Sequence, residues 1–144
     1  ALSGLRALNL ARHASHTPPA LTPAHVDRFL AALNLPDLRH LDLSGHPVGA
    51  TAAKRLADPK FAPLRRLLLR QSKLSDAAVA KLLAAPALQT LIQLDLSHNG
   101  LKTGPAALAS PATLPDLGAC ALDGSRLPPA LARKLRKRPG VTGL

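Results

Sequence analysis

The side chains most often used for metal binding or catalysis are sparse in this chain. His13 and His16 form its closest histidine pair, and they lie in a proline-rich stretch with no acidic residue or cysteine beside them. A zinc site normally takes three or four protein ligands, so two histidines fall short of one. We therefore predict no metal site and no cofactor.

The sequence also lacks the motifs through which common enzymes act. It contains no glycine-rich phosphate loop and no nucleophile turn of the Gly-x-Ser-x-Gly type. Every acidic residue is an aspartate, and no two of them form an evident general acid–base pair. We predict that the protein is not an enzyme.

Its charge favours a partner with negative groups. The formal net charge is +11, from 19 lysines and arginines against 8 acidic residues. Such a chain suits a polyanion or an acidic protein surface. Binding to single-stranded nucleic acid also uses aromatic stacking, and Phe29 and Phe61 are the only aromatic residues. A nucleic-acid module therefore remains an alternative, based on the basic run 133–138 with Lys54, Arg55, Arg65 and Lys81.

A recurring pattern of leucines accounts for most of the chain. From Leu91 it runs Leu-x-x-Leu-x-Leu-x-x-Asn-x-Leu, with Asn99 at the polar position. The pattern recurs at steps of 26, 27 and 26 residues, and a looser copy begins 33 residues before the others. Repeats of about 20–29 residues with this signature stack into solenoids. The copies begin near residues 5, 38, 64, 91 and 117.

Each copy predicts a strand, a turn and a helix. Leu94 and Leu96 are two residues apart, so on a strand they share one face while Asp95 faces the other way. Asn99 and Gly100 supply residues suited to a turn. The spacing of apolar residues then predicts helices at 24–34, 50–57, after Ser75, at 106–109 and at 130–138, and a short edge segment at 141–144.

The phrases Leu-Arg-His-Leu-Asp-Leu-Ser-Gly at 38–45 and Leu-Ile-Gln-Leu-Asp-Leu-Ser-His-Asn at 91–99 resemble leucine-rich repeats of the ribonuclease-inhibitor-like subtype. The alanine- and proline-rich repeats are similar to bacterial versions. The fold class expected is an α/β solenoid of about five strand–turn–helix units, with parallel strands on the concave face and helices on the convex face. We expect one domain over 1–144, closed by a capping helix at 129–138. Because no N-terminal cap is visible, we expect a fragment of a longer chain.

Four positions depart from the repeat pattern. Asparagine is replaced by His46, Ser72 and Ser125, and a core leucine is replaced by Cys120. We expect locally altered turns at the first three and a buried, inert thiol at the fourth.

The resemblance implies that a partner binds the concave face through the strand positions that point away from the core. Asp42 and Asp95 flank a basic centre at Arg66 and Arg70. Two interpretations remain open: a mixed-charge epitope for another protein, or solvated side chains that pair with one another. The predicted partner-binding residues are His40, Asp42, Arg66, Leu68, Arg70, Gln93, Asp95 and Ser97.

The sequence thus predicts a non-enzymatic protein–protein interaction module. Its partner is another protein or another domain of the same chain, which includes an intramolecular regulatory role. No apolar run of 18 residues is present, so no membrane partner is expected. A single cysteine cannot form an internal disulfide and favours a reducing compartment, so we predict a cytoplasmic location.

Overall fold

The computed structural model describes residues 4–12, 21–59 and 63–144, which form a stack of strand–turn–helix layers. Each strand pairs in parallel with the next one along the chain, in the order β1 to β6. The strands are β1 (Ala7–Asn9), β2 (His40–Asp42), β3 (Arg66–Leu68), β4 (Gln93–Asp95), β5 (Ala119–Ala121) and β6 (Val141–Thr142). The α-helices are α1 (Pro23–Ala32), α2 (Ala50–Leu56), α3 (Asp76–Ala84) and α4 (Pro129–Leu135).

The strands pair so that equivalent residues of the repeats lie side by side. The central residue of each strand faces the core, and these residues form one continuous row across the sheet: Leu8, Leu41, Leu67, Leu94 and Cys120. From Leu41 onward the row is at most 3% exposed. Leu8, at the edge of the sheet, is only partly buried.

The helices begin where the sequence supplies a cap. Thr22 precedes α1, and its hydroxyl accepts the N–H of His25 at 3.2 Å. Ser75 precedes α3 and accepts the N–H of Ala78 at 3.2 Å. Such side chains satisfy donors that the first helical turn leaves unpaired. The helices α1, α2 and α3 then pack against one another in chain order and cover the core.

The predicted fold is confirmed, with differences near the C-terminal end. The fourth connector is a 3₁₀ segment, Gly104–Ala109, where a short α-helix was predicted. Its first residue is glycine, a poor α-helix former. Helix α4 ends at Leu135 instead of residue 138 and is followed by two turns of the i to i+3 kind. The predicted edge segment is present as β6.

The turns after β2, β3 and β4 are each tied to the preceding repeat by the side chain at the asparagine position. Asn99 donates from Nδ2 to the carbonyl of Leu69 at 2.8 Å. His46 does the same through Nε2 to the carbonyl of Leu10 at 2.8 Å, and Ser72 through its hydroxyl to Leu43 at 3.3 Å. Histidine and serine therefore replace the asparagine bond to the equivalent carbonyl.

The turns differ in their backbone shape. The residue before the asparagine position is left-handed in four repeats, with φ of +80° at Gly45, +53° at Gln71, +58° at His98 and +71° at Gly124. A second left-handed residue follows in only two of these turns, at Lys73 and Gly100. Pro47 occupies that place after His46 and cannot adopt a positive φ. The turns at His46 and Ser125 therefore differ from the Asn99 turn at this position, whereas the turn at Ser72 has the same two left-handed residues.

Candidate concave binding face

The outward positions of β1 to β4, with the turns that follow them, form a surface that we call the strand face. Because Leu41, Leu67 and Leu94 point into the core, the residues on either side of each point the opposite way. His40, Arg66 and Gln93 form one row across the strands. Asp42, Leu68 and Asp95 form the next. The strand face thus contains all eight predicted binding residues by position, six in these rows and Arg70 and Ser97 in the turns directly beyond.

Two adjoining depressions run along the strand face. One is lined by Asn9, His40 and Arg66 among others, and the second by Ser44, Arg70 and Asp95 among others. Asp42 and Leu68 line both. The two depressions therefore form one continuous concavity with Leu68 near its centre.

Charged groups surround Leu68 in a cross. Asp42 and Asp95 lie beside it on the neighbouring strands, each about 4.8 Å away from backbone to backbone. Arg66 and Arg70 lie two residues before and after it on its own chain segment, each about 6.6 Å along the strand direction. An apolar centre therefore has carboxylates on two sides and guanidinium groups on the other two.

The two carboxylates are held in place by their own turns. Asp42 Oδ1 accepts the N–H of Ser44 at 2.9 Å, and Asp95 Oδ1 accepts the N–H of Ser97 at 2.8 Å. Aspartate commonly bonds the backbone two residues further on at the start of a turn. One oxygen of each carboxylate is thus fixed by a backbone N–H of its own turn.

The arginines of the cross are exposed and unneutralised. Neither Arg66 nor Arg70 has a carboxylate oxygen within 4.0 Å among the residues that the structure describes. On the helix side, by contrast, Arg55 pairs with Asp27 at 2.5 Å. The contacts do not support the interpretation in which the strand-face charges only neutralise one another.

The remaining predicted residues divide by burial. His40 and Gln93 are half-buried on either side of Arg66. Ser97 is different, because it is only 2% exposed and its hydroxyl donates to Asp123 Oδ2 at 3.3 Å. Its hydroxyl bonds a carboxylate at the equivalent position of the next repeat, and it has little surface to offer a partner. The predicted site therefore loses Ser97 as a contact residue.

Several lining residues were not in the predicted set. Asn9 and Ser44 occupy outward positions of β1 and of the turn after β2, and strand alternation gives enough information to find them. Gln71 and Gly45 line the second depression from left-handed turn positions. The left-handed backbone conformation of Gln71 could not be predicted from the spacing of residues in the sequence.

Cys120 has the environment of a structural thiol. It is 1% exposed. Burial raises the pKa of the Cys120 thiol to about 12, against the opposing effect of nearby Arg138 and with a small contribution from Asp95. The predicted burial of Cys120 is confirmed, and because a protonated, buried thiol is a poor nucleophile, its inertness stays the expectation.

One residue of the basic run is part of the packing. The Arg138 guanidinium donates to the carbonyls of Leu108 at 3.0 Å, Ser110 at 2.9 Å and Leu114 at 2.7 Å. Burial lowers the pKa of Arg138, with Cys120 acting in the opposite direction. Arg138 therefore closes the end of the fourth repeat and is not available to a phosphate group.

Two further findings concern other kinds of site. Within 4–12, 21–59 and 63–144, no three His, Cys, Asp or Glu side chains are grouped so that they could hold a metal ion. His13 and His16 lie outside those ranges. None of the helices in the described part of the chain is both long and apolar enough to cross a membrane.

These layers define a parallel strand–helix solenoid, and the comparison with known families gives its class. Residues 34–57 and 87–103 match a family model described as leucine-rich repeat. The first stretch contains β2, its turn and α2, and the second contains β4 and its turn. The chain therefore carries leucine-rich repeats, a class that generally mediates protein–protein interaction and is typically non-enzymatic. A search of curated proteins found no match. The ribonuclease-inhibitor-like subtype and the bacterial origin stay predictions.

Proposed function

We propose that this module binds another protein, or another domain of its own chain, through the concave strand face and carries out no catalysis. The observation that supports it is the register of Leu68 between two fixed carboxylates and two unneutralised arginines. The proposed contact residues are His40, Asp42, Arg66, Leu68, Arg70, Gln93 and Asp95, with Ser97 hydrogen-bonded to Asp123.

The physical reasons are rigidity and composition. Strands paired on both sides and carboxylates fixed by their turns lose little freedom when a partner binds, which lowers the cost of association. Arginine is enriched among the residues that carry most of the binding energy at interfaces. A half-buried leucine among charges adds an apolar contact that a partner can cover.

A second candidate function is binding of a polyanion such as nucleic acid. It is favoured by the net charge of +11 and by Arg133, Lys134 and Lys137, which are exposed on or just after α4. Such binding falls steeply as salt rises and does not depend on aspartates. Binding through the strand face depends on both charges and on Leu68.

The test is capture of proteins from a lysate by immobilised wild type and by two charge-matched variants. Arg66→Glu/Arg70→Glu changes the strand face, and Lys54→Glu/Lys81→Glu makes the same change of charge on the exposed sides of α2 and α3. We expect specific partners to be lost from the first variant and kept by the second. Equal loss from both would instead support a general polyanion or charge effect, and full retention by the first would exclude the strand face.

The location is proposed on separate grounds. We place the module in the cytoplasm because its one thiol is buried and free, as suits a reducing compartment. Fractionation of cells that express the tagged protein tests this, and recovery in an exported fraction would contradict it.

A further inference from the structure

We propose that the strand face takes an extended segment of its partner with the order acid, any residue, apolar, any residue, acid. This inference rests on the proposed function and names the partner chemistry of the same site. Arg66 and Arg70 would take the two carboxylates, and Leu68 would contact the apolar side chain between them. Binding of a nucleic acid or of an unrelated peptide at this face is an outcome of the test.

The spacing of the receiving groups matches an extended chain. Outward residues of a strand recur every two positions, about 6.6 Å apart, so Arg66 and Arg70 lie about 13 Å apart at the backbone. A partner segment laid along β3 has the same rise and brings alternate side chains opposite them. Acidic residues four apart on a helix lie only about 6 Å apart, which is half the span.

The aspartates beside Leu68 select against uniform negative charge. Asp42 and Asp95 lie on the two neighbouring strands, at the level of Leu68. A chain with a negative group at every position would place charge near them and be repelled. A segment that is apolar at the centre and acidic only at its ends avoids this. The cross therefore favours an acidic–apolar–acidic protein segment over a phosphate backbone.

The width of the strand face suits an extended segment of a partner better than the broad surface of a folded partner. The depressions are lined by residues of four adjacent strands, which span about 15 Å at about 4.8 Å per step. Each strand contributes only three paired residues. A single extended segment fits this area, with His40 and Gln93 on either side of Arg66 as polar contacts.

The test uses labelled synthetic peptides flanked by prolines, which favour extended backbone. The first peptide has the core Asp-Ser-Leu-Ser-Asp, the second the scrambled core Asp-Asp-Leu-Ser-Ser, and the third Lys-Ser-Leu-Ser-Lys. Fluorescence anisotropy measures their affinity for the full chain. We expect the first to bind about tenfold more tightly than the second, the scale of one lost charge-assisted contact, and the third not to bind.

Variants connect the preference to the site. Arg66→Glu/Arg70→Glu should no longer bind the first peptide and should bind the third. Lys54→Glu/Lys81→Glu should keep the same order of affinities as the wild type. Leu68→Ala leaves the charges intact and should weaken the first peptide by about tenfold. Circular dichroism and the urea midpoint confirm that each variant folds, so that lost binding is not lost structure.

The possible failures are distinct. Equal affinity for the first two peptides, or binding of neither, overturns the acid–apolar–acid assignment. The assignment also fails if the chain binds an oligonucleotide tightly and Leu68→Ala does not change that affinity. If partner capture is nevertheless lost in Arg66→Glu/Arg70→Glu, the proposed function stands while this inference fails. If capture is unchanged in that variant, the strand face is not the binding surface and both fail.

Discussion

Asp76 in α3 and Gly104 in the next repeat are joined by a hydrogen bond from the Gly104 N–H to Asp76 Oδ1 at 2.7 Å. The same oxygen accepts the N–H groups of Lys102 at 3.0 Å and Thr103 at 3.1 Å. A side chain on residue 104 would place its Cβ 2.8 Å from the Asp76 Cα, so only glycine fits. The pair locks the third helix to the fourth connector.

The first prediction concerns the pH dependence of this lock. Burial raises the pKa of Asp76, but the hydrogen bonds from Gly104, Lys102 and Thr103 outweigh it and lower the pKa below its ordinary 3.8. A carboxyl with a lower pKa in the folded state stabilises the fold above the unfolded pKa, and this contribution is lost as pH falls through the folded pKa. Asp76→Asn should therefore cost about 1–2 kcal/mol of unfolding free energy at neutral pH.

Urea unfolding of both proteins at neutral pH and near pH 2 measures the effect. The difference between wild type and Asp76→Asn should shrink at the acidic pH, since the stabilising charge of Asp76 is lost as the pH falls through its lowered folded pKa. Asp37→Asn removes an exposed carboxylate and serves as the control. An undiminished difference at acid pH would show that the charge of Asp76 does not contribute.

The second prediction concerns the asparagine position. Asn99 Oδ1 accepts the N–H groups of Ser72 at 2.9 Å and Leu74 at 3.1 Å, while Nδ2 donates to Leu69. Asn99→Ala leaves these partly buried groups unpaired and should cost about 2–4 kcal/mol in urea unfolding. The Ser125 hydroxyl is buried and has no hydrogen-bond partner among the described residues, so Ser125→Ala should cost nothing or stabilise by up to about 1 kcal/mol.

Ser72→Ala is the matched comparison for Ser125→Ala. The Ser72 hydroxyl donates to the carbonyls of Leu43 and Arg70, each at 3.3 Å. Its loss should cost about 1 kcal/mol. Equal effects of Ser72→Ala and Ser125→Ala would contradict the hydrogen-bond assignment.

The third prediction concerns Arg138 and the thiol beneath it. Arg138→Ala removes the donor from three carbonyls and should cost about 2 kcal/mol. The exposed Arg133 is the control, and Arg133→Ala should stay within about 0.5 kcal/mol. The backbone N–H of Cys120 donates to the carbonyl of Gly140, just before β6, at 2.8 Å, so loosening this end should also speed labelling of Cys120 by a thiol reagent. Unchanged labelling in folded Arg138→Ala would contradict the coupling.

The fourth prediction compares two equivalent leucines. Leu67 is fully buried in the middle of the core row, so Leu67→Ala should cost about 3–5 kcal/mol in urea unfolding. Leu8 occupies the same position in β1 but is only partly buried, so Leu8→Ala should cost less than half as much. A larger cost for Leu8→Ala would mean that this edge is covered more fully than the described residues show.

The repeat pattern was sufficient to predict the strands and most of the helices. The two leucines that stand two residues apart, such as Leu41 and Leu43, determine which residues of a strand face the core. Stacking of the repeats then sets the parallel register. The fourth connector was harder, because Gly104 is required by its contact with Asp76, 28 residues earlier, and not by any helical spacing. Local propensity carries no information about such a contact.

The candidate site was partly predictable for the same reason. Strand alternation placed Asp42, Leu68 and Asp95 on one face, and the structure has them in one row. It did not reveal that Ser97 is buried beside Asp123 of the next repeat, because that contact joins residues 26 positions apart. Likewise, sequence spacing assigned Arg138 to a basic surface, whereas its guanidinium is held by carbonyls of the preceding repeat.

The most direct test of the strand face as the binding surface is photo-crosslinking to a captured partner. Benzoylphenylalanine replaces Leu68 in one protein and Lys81, on the exposed side of α3, in another. Each is irradiated with the partner under the same conditions. Binding through the strand face predicts a covalent adduct from position 68 and none from position 81. An adduct from position 81 alone would contradict it and assign binding to the helices.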